Sequence, residues 1–466
     1  MNISQGLLPF QLVQDPSQAV MTSFAGLPLV METFRALGLP QSIKKHLSWF
    51  ERCGRYEESD YVESFISLFA AGGGCVEDLE RLRADEGLKK LGLRVPSAES
   101  GRWFLNGFHE QECVERRCPH EAWIPEQTRW LKGLGAVLKD TIGKALGGKQ
   151  SLRATIDLDA TVVESHKREA LWTYLGEKGY QPVVAYWAEE DLILADQFRD
   201  GNVPAGMDLL PVLQEAISAL PKSVGLVRVR SDAAAYRHEV LNWCREEIPG
   251  RPRIEFAISA EVTEELRKTI RRIPDRGWKP LRKVTDEGPV LGRKEWAEVE
   301  FVPSQPSRKK QMKPDRYLAI RIRPAQAELF NDGTAYHYFA VVTNMWTWNG
   351  ERLLQWQRER CGTVEKVHDV LKNDLAGGVL PSKRFFANAA WWRLNVIAYN
   401  VLAVMKRKAL PQSWWPFRLK ALRFHLIALA GRVIEHGRQL FLKLGNHPSL
   451  APYQEARRKL LIFSSS

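Results

Sequence analysis

Between residues 152 and 159, apolar residues alternate with polar ones in the order LRATIDLD. This period of two is typical of a β-strand with one buried face. Two further strands are predicted over Gln181–Trp187 and Leu192–Phe198, and the short polar segment between them is compatible with a hairpin. The pattern therefore indicates three consecutive strands that follow a segment of different character.

Helical and strand periodicities then alternate. A helix is predicted over Met207–Leu220, a strand over Val224–Arg230, a helix over Ala234–Glu247 and a strand over Ile254–Ser259. The order strand, strand, strand, helix, strand, helix, strand indicates a mixed α/β sheet. Further along the chain, an apolar strand is predicted over 338–343 and a helix over 363–372.

Changes in residue pattern and composition divide the chain into five parts. The parts are a helical N-terminal region (1–150), the first part of the core (151–261), a β-rich insertion (262–335), the second part of the core (336–382) and a basic helical C-terminal region (383–466). Within the insertion, a pair of strands is predicted around Glu295–Val302 and Tyr317–Arg323. The fold class is therefore α+β and multidomain.

The N-terminal region contains three amphipathic segments: Ser59–Ala71, which stops at three glycines, Cys75–Lys90, and Pro96–Phe108. Residues 87–92 and 97–108 have the spacing of a helix-turn-helix, which would place Arg102 on an exposed face toward DNA. The alternative is a plain helical bundle.

The formal net charge of +12 is concentrated at the end of the chain. The last 84 residues carry fifteen Lys or Arg against two Glu and no Asp. Such a surplus attracts a polyanion, although a solvated basic surface is the alternative. The chain contains no run of about 18 apolar residues, so no membrane span is predicted. Its six scattered cysteines are typical of a protein in a reducing cytoplasm.

Acidic residues lie on the polar face of one predicted strand and directly after the end of another. Asp157 and Asp159 lie on the same face of the first strand, where a Mg²⁺ ion would relieve their repulsion. The alternative is a solvent-facing edge strand. Asp232 directly follows the strand GLVRVR, at the carboxyl end where open α/β sheets place their sites. It also precedes a helix, so an N-cap role is equally compatible.

A third acid belongs to the last helix of the core. Glu365, Asp369 and Lys372 share one helical face, while Val364, Val367 and Leu371 share another. A surface salt-bridge face is the alternative to a functional one. Taken with Asp159 and Asp232, however, Glu365 completes a set of carboxylates suited to two Mg²⁺ or Mn²⁺ ions in phosphoryl transfer.

These residues lie in segments that resemble the DDE transposases of bacterial insertion sequences. The matching segments are IDLDATVVE (156–164), FRDGN (198–202), VRSDAAAY (229–236) and QWQRERCGTVEKVHDVLKND (355–374). The resemblance covers residues 150–375 and implies a ribonuclease-H-like core. Within this family, the chain resembles the branch whose first acid lies in an Asp-x-Thr motif, here Asp159 with Thr161. Asp157 is then a neighbour or an alternative metal ligand, and Asp232 is the second acid.

The third motif of this branch is a Tyr-Arg-Glu-Lys signature. Glu365 and Lys372 keep its seven-residue separation, but Cys361 stands where the arginine is expected, and Trp356 takes the place of the tyrosine. Arg360 and Arg358 are the nearby arginines. The resemblance also implies that the insertion supplies a tryptophan that holds a flipped base, for which the candidates are Trp278, Trp296, Trp346 and Trp348.

The resemblance implies a bacterial cytoplasmic, nucleoid-associated transposase with two Mg²⁺ or Mn²⁺ ions. Its catalytic residues and metal ligands would be Asp159, Asp232 and Glu365. Its partners would be double-stranded DNA, both the terminal inverted repeats and the target, and a second copy of the chain in a synaptic homodimer. DNA contacts are predicted for Lys372, Arg360, Arg358 and Arg102. The alternatives are a metal-dependent nuclease without strand transfer and an inactive DNA-binding relic.

Overall fold

The computed structural model describes residues 19–48, 55–147, 153–285, 288–303, 314–322 and 336–465. A short strand and seven helices precede the main sheet. They are β1 (Val20–Thr22), α1 (Leu27–Ala36), α2 (Leu39–His46), α3 (Glu58–Ala71), α4 (Leu79–Arg83), α5 (Glu86–Lys90), α6 (Ala98–Asn106) and α7 (Arg129–Ala145).

Local sequence signals set the ends of these helices. Gly72 ends α3 with φ +93°, a left-handed conformation that glycine adopts without steric cost. Cys75–Lys90, predicted as one amphipathic segment, is instead divided into short helices. The reason is that the Asp85 side chain accepts a hydrogen bond from the Leu88 N–H (2.9 Å) and so begins α5 anew. Ser97 starts α6 in the same way.

The central feature of the fold is a nine-stranded mixed sheet in the order β10-β11-β12-β13-β9-β8-β2-β6-β7. Its strands are β2 (Arg153–Ala160), β6 (Val183–Trp187), β7 (Leu192–Gln197), β8 (Leu226–Ser231), β9 (Arg253–Ala260), β10 (Lys279–Thr285), β11 (Gly288–Phe301), β12 (Asp315–Ile322) and β13 (His337–Thr343). The strands β3 (Val163–Glu164), β4 (Leu171–Trp172) and β5 (Lys178–Tyr180) form a small separate sheet.

The helices that accompany the sheet are α8 (Leu209–Ser218), α9 (His238–Arg245), α10 (Glu264–Arg271), α11 (Gly350–Arg358) and α12 (Arg360–Asp369). The predicted order of strand, strand, strand, helix, strand, helix, strand is confirmed as β2, β6, β7, α8, β8, α9, β9. Strand β2 pairs antiparallel with β6 and parallel with β8, and β8 pairs parallel with β9. The carboxyl ends of β2, β8 and β9 therefore meet at one edge of the sheet.

The strands predicted between residues 262 and 335 continue this sheet. Strand β13 runs antiparallel to β9, and β12, β11 and β10 follow it outward. The predicted pair around Glu295–Val302 and Tyr317–Arg323 is present as β11 and β12, with Arg323 itself outside the described residues. The inserted strands thus enlarge the core sheet to nine strands.

The C-terminal part contains α13 (Phe385–Val404), α14 (Leu419–Leu422), β14 (Gly431–His436), β15 (Gln439–Leu444) and α15 (Leu450–Ser465). All twenty residues of α13 are buried, and most of them are apolar. Its Asn400 side chain accepts a hydrogen bond from the Ile193 N–H and donates one to the Ile193 carbonyl, both at 2.9 Å. These bonds satisfy backbone groups on the edge strand β7. No helix in the described ranges has the length and apolarity needed to cross a bilayer.

The prediction that the C-terminal region is helical is wrong for residues 431–444. This segment is a β-hairpin whose strand β14 also pairs with β1. Gly437 and Arg438 connect the two strands with φ +58° and +61°. Two successive left-handed residues make the tight turn that matches the twist of a hairpin. This turn therefore explains why the helical prediction fails.

Replacing Gly437 with Ala should lower the free energy of unfolding by about 1 kcal/mol, because a side chain disfavours the left-handed conformation. An added Cβ would meet no atom within 4 Å, so the conformation alone causes the loss. Gly445→Ala is the matched control, since its Cβ also enters open space and its φ is not positive. Thermal unfolding of both variants measures the difference. Equal stability of the two would show that the turn conformation contributes nothing.

The positive charge of the C-terminal region is partly used inside the protein. The prediction that this charge serves a polyanion is therefore corrected for a group of basic residues that pair with acids elsewhere in the chain. The pairs are Arg393–Asp196 (2.8 Å), Lys406–Asp191 (3.2 Å), Arg418–Asp374 (2.8 Å) and Arg457–Glu32 (2.7 Å). Arg393 and Asp196 are both buried, and their opposite charges compensate for the loss of water. These four ion pairs thus connect the C-terminal region to other parts of the protein.

Candidate functional site

Two acids predicted from separate motifs lie next to each other at the carboxyl edge of the sheet. In the parallel register of β2 and β8, Leu158 is opposite Ser231, so the next positions are Asp159 and Asp232. Neighbouring strands are about 4.8 Å apart, and the alternation of side chains places both acids on the same face. The structure therefore brings together two residues that are 73 positions apart in the sequence.

The two carboxyl groups influence each other. Burial raises the pKa of Asp232, and the negative charge of Asp159 raises this pKa further. The Ala234 N–H, which donates a hydrogen bond to Asp232 at 3.0 Å, and the charge of Arg360 act in the opposite direction on the same pKa. Asp232 is thus the N-cap of the 3-10 turn Ala233–Ala235. The capping role and a metal role are compatible.

Asp157 lies two residues before Asp159 on β2 and is in a different environment. It is fully buried, and the Arg230 guanidinium donates to both of its oxygens at 2.7 and 2.9 Å. The Thr363 hydroxyl donates a third hydrogen bond at 2.6 Å. Because both oxygens are engaged inside the protein, this geometry favours Asp159 over Asp157 as the acid that faces the cleft.

Helix α12 covers the acids with a basic face. Arg360 Nη1 donates a hydrogen bond to Asp159 Oδ1 at 3.0 Å. His368 Nε2 lies 3.3 Å from Asp159 Oδ2, but the two groups are not aligned for a hydrogen bond. The buried Val364 lies between them on the same helical face. His368 was not predicted as a site residue, although its spacing of eight from Arg360 places both on this face.

Glu365 lies on α12 but is exposed and outside the pair formed by Asp159 and Asp232. Among the residues that the structure describes, no group of three or more His, Cys, Asp or Glu is arranged to hold a metal ion. Val364, Val367 and Leu371 are buried, as their predicted position requires. Lys372 follows in a wide helical turn, and its amino group lies 3.4 Å from the Val162 carbonyl, just beyond the end of β2.

The two remaining predicted DNA contacts lie on other helices. Arg102 is on an exposed face of α6, as predicted, and forms an ion pair with the exposed Glu77. Arg358 is half-buried at the end of α11 and pairs with no acid among the described residues. These positions leave the roles of both arginines as predictions.

Two of the four tryptophans proposed to hold a flipped base lie in the core. Trp278 is 8% exposed and Trp296 is 3% exposed, so neither ring is free to stack on a base, and this prediction is wrong for them. Trp346 is exposed, whereas Trp348 packs against Trp356 and the Arg228 guanidinium. Arg228 precedes Asp232 by four strand residues, about 13 Å. Trp348 therefore lies toward the opposite end of the strand from the acids.

Asp159 and Asp232 suit a hard divalent cation. Carboxylate oxygens are the preferred ligands of Mg²⁺, which proteins commonly hold through one or two carboxylates together with substrate phosphates. The mutual repulsion that raises the pKa of Asp232 would be relieved by such an ion. The pair therefore has the chemistry that suits a divalent cation, whereas Glu365 lies outside it.

Comparison with known proteins identifies the family of the chain. Residues 18–463 match the family model described as transposase DDE domain group 1. A solved structure of the piggyBac transposase synaptic complex with hairpin DNA is similar at 10% identity, covers 88% of this chain and 82% of its own, and has a TM-score of 0.48. No curated protein matches the chain. Because the family model spans nearly the entire chain, the protein belongs to the DDE transposase family.

Proposed function

We propose that this protein cuts the ends of a bacterial insertion sequence and joins them to target DNA, in a cut-and-paste reaction. The observation that carries the proposal is the adjacency of Asp159 and Asp232 at the carboxyl edge of the sheet. Two carboxylates on neighbouring strands, partly buried and with raised proton affinity at one of them, are suited to divalent metal binding. The family membership supplies the reaction class.

The proposed metal ligands are Asp159, Asp232 and Glu365, which would hold two Mg²⁺ or Mn²⁺ ions. When bound, such ions activate the attacking water or 3′-hydroxyl and stabilise the leaving oxygen. Glu365 lies on the helix whose Arg360 contacts Asp159, and a shift of α12 on DNA binding would be needed to bring Glu365 to the pair. Asp157 is assigned to the buried ion pair with Arg230 rather than to the metal.

The remaining residues of the site would orient DNA. Lys372 lies beside the end of β2, where its ammonium group can reach a phosphate near the acids. Arg360 and Arg358 lie on successive helices that end or begin at this face. Such phosphate contacts fix the position of the duplex without reading its sequence. The two ends of an element would be held by two copies of the chain, within the bacterial cytoplasm where the nucleoid lies.

The proposal is tested with the purified protein and oligonucleotides that carry the ends of the element. We expect Mg²⁺-dependent cleavage at the ends and covalent joining of a pre-cleaved 3′ end to a target plasmid. Glu365→Gln should reduce both reactions more than about a hundredfold, beyond the range seen for residues that only support a ligand. Glu239→Gln, an exposed glutamate in the first turn of α9, is the matched control and should react normally.

The products separate the possible outcomes. Cleavage without any joined product would identify a metal-dependent nuclease instead of a transposase. Binding of the ends without cleavage in Mg²⁺ or Mn²⁺ would identify an inactive DNA-binding relic. Normal rates for Glu365→Gln would remove Glu365 from the proposed metal ligands and leave its place to another residue.

A further inference from the structure

Arg360 is the only arginine or lysine with a described ion pair to Asp159. It is 8% exposed, and its charge also acts on Asp232, where it opposes the rise in pKa. One guanidinium therefore serves both acids. Its Nε is buried and donates to no described group, so Arg360 has an unused donor within the site.

The surrounding charges make Arg360 necessary in the protein without metal. Arg230, the neighbouring buried arginine, is already committed to both oxygens of Asp157. His368 lies near Asp159 but makes no hydrogen bond to it. Without Arg360, Asp159 and Asp232 would be two adjacent, largely buried acids with no permanent positive charge between them. Such an arrangement is costly.

A divalent cation and the Arg360 guanidinium are attracted to the same carboxylates. Arg360 Nη1 donates a hydrogen bond to Asp159 Oδ1 at 3.0 Å, and its charge also acts on Asp232. A cation bridging the two acids would lie between them and close to the guanidinium. Two positive groups at this separation repel each other, and the carboxylates cannot be the nearest anions of both.

We propose that Arg360 is an exchangeable counter-ion. In the free protein it neutralises Asp159 and Asp232. When a divalent cation occupies the two acids, Arg360 moves away from them and binds a DNA phosphate. This inference rests on the proposed function, because it takes Asp159 and Asp232 to be metal ligands. It implies that Arg360 competes with the metal in the absence of DNA. DNA would relieve the competition by offering Arg360 another anion, so that metal and DNA strengthen each other's binding.

The test measures Mn²⁺ affinity of the full chain without DNA, by electron paramagnetic resonance of free Mn²⁺. Arg360→Gln removes the competing charge and should tighten Mn²⁺ binding roughly tenfold, the effect of losing one charge-assisted hydrogen bond. Lys366→Gln is the matched control, because Lys366 is an exposed cation on the same helix and has no described ion pair to Asp159; its Mn²⁺ affinity should equal that of the wild type. Adding end DNA should raise Mn²⁺ affinity more in the wild type than in Arg360→Gln.

Arg360→Lys protects the test against a folding defect, which circular dichroism would reveal. It keeps the charge but loses the planar fork of donors, so its Mn²⁺ affinity should fall between those of the wild type and Arg360→Gln. The inference would be overturned if folded Arg360→Gln bound Mn²⁺ no more tightly than the wild type. If only Arg360→Lys folds, the same result for that variant would overturn it. Either outcome would leave the proposed function intact. Absence of Mn²⁺ binding by every protein, with and without DNA, would overturn both.

Discussion

Asp159→Asn is expected to reduce DNA cleavage and strand joining on the order of a thousandfold while the protein stays folded. The amide keeps the shape of the side chain and can still accept a hydrogen bond from Arg360, but it lacks the negative charge that a hard cation requires. Asp232 remains as an anion for Arg360, so the fold keeps charge compensation at this site.

The rate is measured with labelled end DNA in Mg²⁺, under single-turnover conditions so that product release does not conceal the chemical step. Thermal unfolding of the same preparation shows whether the variant is intact. A folded Asp159→Asn protein that cleaves within about threefold of the wild type would exclude Asp159 from the metal site.

Asp157→Asn, two residues earlier on the same strand, should have the opposite profile. Its carboxylate is fully buried and accepts two hydrogen bonds from Arg230 and one from Thr363. Removal of one partner from a buried ion pair leaves an uncompensated charge and typically costs about 3–5 kcal/mol. The expected loss is near the lower end of this range, because the exposed Glu359 lies 3.2 Å from Arg230 and can retain part of the compensation.

Chemical unfolding of Asp157→Asn measures this loss, and cleavage by the fraction that remains folded should be reduced far less than in Asp159→Asn. Replacing both partners, as Asp157→Leu with Arg230→Met, should recover part of the stability because no charge is then left unpaired. A stable Asp157→Asn variant without cleavage activity would instead make Asp157 the first metal ligand.

The sequence predicted the elements that carry the acids because their signals are local. The strand over 152–159 can be recognised from the alternation of neighbouring residues alone. The strand that precedes Asp232 can be recognised in the same way from its apolar positions. From these two strands one could expect acids at carboxyl ends. That β2 and β8 are direct neighbours, with Leu158 opposite Ser231, depends on pairing between distant segments and emerges only from the structure.

The partners of the acids were not predictable for the same reason. Nothing near Asp157 in the chain indicates that Arg230 neutralises it, and so the sequence left Asp157 and Asp159 as alternatives. Arg360 was predicted to contact phosphate, whereas the structure pairs it with Asp159. The basic residues at the end of the chain include some whose internal pairing was likewise not predicted, because Arg393 and Arg418 neutralise acids in other parts of the protein.

The account depends most directly on the position of the metal. A crystal of the protein with pre-cleaved end DNA and Mn²⁺, measured at a wavelength where manganese scatters anomalously, locates the ions independently of any activity. We predict an anomalous peak about 2.1 Å from carboxylate oxygens of both Asp159 and Asp232, the distance expected for a small divalent cation. Manganese bound to the DNA-containing complex elsewhere, with neither carboxylate among its ligands, would contradict the account.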